Sequence, residues 1–194
     1  MELINESMRI WHGWDPIHCG HYELVYELSK RFDQVWVMPC YKSIHGKSLS
    51  PFHHRMAMCS IAIHIKNVVV SPFEGMVIQD DGPKGTEEIL AYLKKCYVGY
   101  DIYYAIGQDN ANGITKWKNW EALLSNNKFV VFPRAEVEPT TDWYMKPPHL
   151  RIDFKPINIS STIIRQAVKN GETNILHLDP LVEDYIRREK LYIS

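Results

Sequence analysis

No charge of either sign dominates this sequence: 22 lysines and arginines stand against 23 aspartates and glutamates, a formal net charge of -1. Without a global field, neither nucleic acid nor a membrane surface is expected as a partner, and any anionic ligand has to be held by local groups. Cysteine is sparse and scattered. Cys19, Cys40, Cys59 and Cys96 form no CxxC pair, which argues against zinc and disulfide staples and for a reducing, cytoplasmic setting. No apolar run approaches the length of a membrane span. The opening MELINESMRIW carries Glu2, Asn5 and Glu6 where a secretory leader would place basic residues and then an apolar stretch. Repeats and low-complexity segments are missing too, so the 194 residues are expected to form one domain, 1–194.

What the sequence does contain is alternation. Met8–Trp11 suits a short buried strand, and Leu24, Val25, Leu28 and Phe32 follow at helical spacing. Gln34–Pro39 reads as a second strand closed by proline, then Ser50 and Pro51 as the cap and first residue of a helix running to about Ile65. NVVVSP (67–72) is a third strand, Ile89, Leu90, Leu93 and Tyr97 mark a helix beyond a Gly/Pro-rich linker, and Asp101–Gly107 is a fourth strand. A helix around Trp117–Leu124, strands KFVVFP (128–133) and LRIDF (150–154), and closing helices Ser161–Asn170 and Pro180–Glu189 complete the series. This order predicts a doubly wound, Rossmann-like α/β fold, a parallel sheet with helices on both faces, whose ligand lies beyond the carboxyl ends of the strands.

Three stretches carry candidate chemistry. In WHGWDPIHCGHYEL (11–24), a helix beginning near Ile17 puts His18 and His21 on one face of its first turn, beside unpaired amides and the positive end of the dipole. Gly20, lacking a Cβ, would let a phosphate approach the backbone between the rings. Two ordinary surface histidines at a helix start are the bland alternative. A zinc pair is disfavoured, because helical zinc histidines prefer a spacing of four. Cys19 is expected to be packed rather than nucleophilic, since adjacent helical positions diverge. In NISSTIIRQAV (158–168), the hydroxyls of Ser160, Ser161 and Thr162 and the guanidinium of Arg165 can converge on one anion, or can simply cap a helix. In AIGQDNANGITKWKNW (105–120), Gly107 ends a strand and the Asp109 carboxylate could accept from ribose hydroxyls. Trp117 and Trp120 are either one packed helix face or include a stacking plate for a flat heterocycle.

Taken together, DPIHCGH, GQD with a tryptophan eight residues after the aspartate, and ISSTIIR resemble the nicotinate/nicotinamide mononucleotide adenylyltransferases of the HxGH nucleotidyltransferase superfamily. The resemblance covers nearly the whole chain and includes the ending NGETNILHLDPLVEDYIRREKLY. It implies transfer of AMP from ATP to nicotinate or nicotinamide mononucleotide, with Mg²⁺ entering on the ATP and held by substrate phosphates. It implies catalytic roles for His18, His21 and Arg165, and ATP binding by Gly107, Asp109, Ser161, Thr162 and, in an altered SIHGKS loop, His45 and Lys47. Mononucleotide binding would fall to Trp117, Arg134, Thr86 and Trp14. Such a reaction needs alignment and charge stabilisation more than a general base or covalent intermediate. WHGWDP stands where that family usually has GG(S/T)FDP, which puts His12 in place of a glycine, and Asp15 reads as a turn-former before Pro16. A related transferase acting on phosphopantetheine or another phosphorylated acceptor, and a nucleotide-binding regulator without catalysis, are the competing readings. The choice between acid and amide substrate, and any homo-oligomer, are left open.

Overall fold

A computed structural model describes residues 5–43, 46, 48–78 and 85–193. Six strands, β1 (Asn5–His12), β2 (Gln34–Pro39), β3 (Val68–Val70), β4 (Tyr100–Gly107), β5 (Lys128–Phe132) and β6 (Leu150–Arg151), form one all-parallel sheet in the order β3-β2-β1-β4-β5-β6. Alternation along each strand sorts side chains between two layers. Met8, Ile10, Val35, Val37, Tyr103, Ala105, Val130 and Phe132 meet helices α1 (Cys19–Ser29), α2 (Phe52–Ala62), α7 (Ser161–Lys169) and α8 (Pro180–Arg188). On the opposite face, Met38, Tyr104, Ile106, Phe129 and Val131 meet α3 (Phe73–Ile78), α4 (Thr86–Cys96), α5 (Gln108–Asn112) and α6 (Trp120–Asn126). Arg9, in the middle of β1, is buried on that second face with its guanidinium 3.6 Å from the Trp36 ring centroid. Burial pulls its pKa down to about 10, which leaves it cationic at neutral pH. Each fully buried aliphatic of α1, such as Val25 or Leu28, contributes about 1.5–3 kcal/mol of transfer free energy.

The fold class is the one expected, and β2 matches residue for residue. Several boundaries differ for local reasons. Pro51 is the N-cap of α2, because the amide and hydroxyl of Ser50 are both given to Asp15; α2 ends at Ala62, where Ile63 turns extended. The helix expected from Trp117 starts at Trp120, after a 3-10 turn at Ile114–Lys116 and a left-handed Asn119 (φ 52°). Only Leu150–Arg151 of LRIDF pairs with β5. Helices α3 and α5, of 6 and 5 residues, are too short to leave a periodic signature.

The topology makes the crevice. β1 is followed by a turn leading to α1 on one face, whereas its neighbour β4 runs directly into α5 on the other face. The two connections diverge, and a ligand space opens beyond the carboxyl ends of β1 and β4. No helix among the described residues is long and apolar enough to cross a membrane.

Candidate active site

The crevice is walled first by the turn after β1. His18 is the N-cap of α1 with extended backbone (φ -145°, ψ 172°), and His21 follows in the first turn. Their imidazoles stack with centroids 3.7 Å apart and planes 19° from parallel, and the Trp14 indole leans on His21 at 4.8 Å. Both histidines are buried. The gap expected over Gly20 is filled: a Cβ there would lie 3.2 Å from Ile159 and 3.3 Å from the His18 ring. The glycine therefore seats the His18 imidazole against its neighbours, and an anion has to approach the pair from the cavity side. Burial, followed by the nearby Asp179, pushes the Cys19 thiol up, which keeps it protonated and unsuited to nucleophilic work.

The second wall is the start of α7. Ser160 caps the helix, its hydroxyl accepting from the Ile163 amide at 3.3 Å. Ser161 donates its hydroxyl to the Pro16 carbonyl at 2.9 Å, a contact spanning 145 residues of sequence. Arg165 donates through Nη1 to the Asp15 carbonyl at 2.7 Å and through Nη2 to the Thr162 hydroxyl at 3.2 Å. These bonds stitch α7 to the Asp15-Pro16 turn. The hydroxyl proton of Ser161 is thereby committed, so what this residue can offer an anion is its main-chain amide, which like that of Thr162 has no acceptor within the helix. The remaining N–H groups of the Arg165 fork are available to a ligand.

The third wall is the end of β4. Gly107 is both its last residue and the N-cap of α5. A Cβ there would collide with the Asp109 carboxylate and sit 3.1 Å from Arg134 Nε, so the close approach of these two side chains requires glycine. Arg134 Nε donates to Asp109 Oδ1 at 3.3 Å. Both partners are partly exposed, and such a pair contributes little stability and is readily exchanged for a ligand. Gln108, between Gly107 and Asp109 in sequence, is buried and donates through Nε2 to Asn112 Oδ1 at 2.8 Å and to the Tyr144 hydroxyl at 3.0 Å. Its Oε1 accepts from Arg151 at 3.4 Å.

All three walls face one cavity of about 630 Å³, lined by Trp14, His18, His21, Thr86, Asp109, Trp117, Arg134, Ser161, Thr162 and Arg165. Trp117 is half-buried, packed on the second-face core while lining the cavity; Trp120 is not part of the lining. Thr86 opens α4 beside the fully buried Tyr104, whose hydroxyl burial pushes up while a hydrogen bond with Thr86 opposes that shift. A chamber of about 220 Å³ adjoins, sharing His18, His21, Asp109 and Arg134 and walled by Ile10, Phe132, Phe154 and Ile157. His45 and Lys47 lie outside the described residues. Lys42, from the same loop, lines the large cavity and went unremarked in the sequence, as did Gln108; the only available signal was their position beside quoted motifs. Among the described residues no group of three or more His, Cys, Asp and Glu is placed to hold a metal ion.

A family model described as Cytidylyltransferase-like matches residues 13–167. Two relatives, both called probable nicotinate-nucleotide adenylyltransferase, are similar over most of their length. That of Flavobacterium psychrophilum is 30% identical over 185 residues, covering 92% of this chain and 94% of the relative. That of Methylacidiphilum infernorum is 31% identical over 189 residues, covering 93% and 89%. Among solved structures, Plasmodium falciparum nicotinic acid mononucleotide adenylyltransferase complexed with NaAD shares the fold, with a TM-score of 0.81 at 24% identity, covering 96% of this chain and 97% of that one.

Proposed function

The chain belongs to the cytidylyltransferase-like family and to the nicotinate-nucleotide adenylyltransferases, and from that premise we propose that it transfers AMP from ATP to nicotinate mononucleotide, releasing pyrophosphate and forming the deamido dinucleotide. The observation that carries the reading is that His18, His21 and Arg165 line the same cavity as Asp109, Trp117 and Arg134. One nucleotide and one mononucleotide can then meet end to end. In this reading the triphosphate lies across the stacked imidazoles towards Arg165 and the Ser161 and Thr162 amides, at two helix N-termini whose dipoles favour anions. Asp109 accepts from the ribose hydroxyls, and the base enters the smaller, mostly apolar-walled chamber. The pyridine ring lies against Trp117 near Thr86 and Trp14, with its phosphate at Arg134, so substrate takes over the groups that the Asp109–Arg134 pair occupies without it.

A phosphate oxygen of the mononucleotide attacks the α-phosphorus of ATP. A P–O bond forms as the α–β bridging bond breaks, and the electron pair leaves with pyrophosphate. The nucleophile is already anionic, so no proton has to be removed; the protein aligns the phosphates and stabilises charge spread over their oxygens. Mg²⁺ fits as a partner of the ATP phosphates, because the carboxylates lining the cavity are engaged by protein donors, Asp15 by Ser50 and Tyr192 and Asp109 by Arg134. His45 and Lys47 are proposed to reach the triphosphate from their loop. The four free thiols support a cytoplasmic setting.

Pyrophosphate release from ATP and Mg²⁺ tests the reading, run in parallel with nicotinate mononucleotide, its amide and phosphopantetheine. Fastest turnover with the nicotinate compound is expected. Preference for phosphopantetheine, or ATP binding without release from any acceptor, overturns it.

A further inference from the structure

We propose that Tyr192, at the far end of the chain, is a positioning residue for the phosphate pocket, acting through Asp15 on Arg165. Its hydroxyl donates to Asp15 Oδ1 at 2.5 Å across 177 residues of sequence. The same carboxylate takes the Ser50 hydroxyl at 2.5 Å on Oδ1 and the Ser50 amide at 2.9 Å on Oδ2. Asp15 is 4% exposed, and a buried carboxylate satisfied by this many donors has its backbone held in place. That backbone is what matters, because the Asp15 carbonyl receives Arg165 Nη1 and the adjoining Pro16 carbonyl receives the Ser161 hydroxyl. Tyr192 thus sets Asp15, and Asp15 sets the guanidinium and the start of α7.

The supporting scaffold is independent of the tail. Arg55, buried on α2, donates to the carbonyls of Ser50, Gly13 and Cys40, so the loops around Asp15 stay tied when Tyr192 is changed. Tyr192 itself is not among the cavity-lining residues and touches no substrate in the proposed arrangement. Burial first, and then the charge of Asp15, push its hydroxyl well above the ordinary tyrosine range, so it remains a donor throughout the working pH.

The inference rests on the proposed adenylyl transfer, and the two fail differently. Tyr192→Phe keeps the ring and removes the donor. It is expected to lower kcat about tenfold by letting Arg165 drift from its register, with KM for nicotinate mononucleotide unchanged. In an Arg165→Ala background the same substitution is expected to cost nothing further, an outcome a general loss of folding would not give. Should Tyr192→Phe melt below the assay temperature, Ser50→Ala removes another donor from the same carboxylate and is measured in its place. Unchanged kcat in Tyr192→Phe, or an equal loss with and without Arg165, overturns the inference while the parent enzyme remains active; an inactive parent overturns the reading beneath it.

Discussion

An imidazole pair stacked 3.7 Å apart at a helix N-terminus lines the cavity with both rings and leaves the reacting geometry to its neighbours. Trp117 is the neighbour with the clearest separable effect. It lies on the mononucleotide side of the proposed arrangement, away from the triphosphate donors, and aromatic stacking on a base contributes about 1–3 kcal/mol. Trp117→Ala is therefore expected to raise KM for nicotinate mononucleotide roughly 10- to 100-fold while leaving KM for ATP within a few-fold, as steady-state kinetics with each substrate varied in turn will show. At this scale the sequence was legible where the determinant is local. His18 and His21 stand three positions apart and their rings do meet, although α1 starts at Cys19 rather than near Ile17 and His18 is its extended N-cap; Arg165 donates to Thr162 in the first turn of its own helix. It was not legible where the determinant is tertiary: Gly20 makes room for a ring and Ile159, and Ser161 spends its hydroxyl on Pro16.

Helix α7 walls the pocket through Ser161, Thr162 and Arg165, α8 packs with it in one core cluster, and one carboxylate holds their connection. Glu183 accepts from the amides of Asn174 at 3.1 Å and Ile175 at 2.9 Å and from Arg187 Nη2 at 2.5 Å. Burial acts to raise its pKa, but the hydrogen bonds and the Arg187 charge together win, and the net shift is downward. A folded pKa below the ordinary carboxylate value means that the contribution is complete above that ordinary value and is lost as pH falls through the folded pKa. Glu183→Gln is expected to destabilise the protein by about 1–3 kcal/mol near neutrality, and the difference from the parent should shrink in acid; denaturant melts at both conditions check the sign. A deficit that grows in acid would contradict it. The long elements were readable because each shows a period: β2 and the bodies of α1, α7 and α8 fall where periodicity places them. Helices α3 and α5 and the 3-10 turn before Trp117 are shorter than two helical repeats, and packing against the sheet selects them.

For the whole molecule, the strand order places β1 beside β4 and sends their connections to opposite faces, and the crevice follows from that divergence. The fold class was readable because strands alternated with helices. The sequence could not show which loop meets which, because the contacts that close the pocket join residues 145, 150 and 177 positions apart. The central claim is that the two ends of the chain act on one triphosphate. It is tested most directly by a double-mutant cycle in kcat, His21→Ala against Arg165→Ala, in the presence of ATP, Mg²⁺ and nicotinate mononucleotide. Each single change is expected to lower kcat by roughly 10²–10³, with a combined loss well short of the product of the two. A fully multiplicative loss would mean that the histidines and the arginine serve separate sites, and would contradict the account.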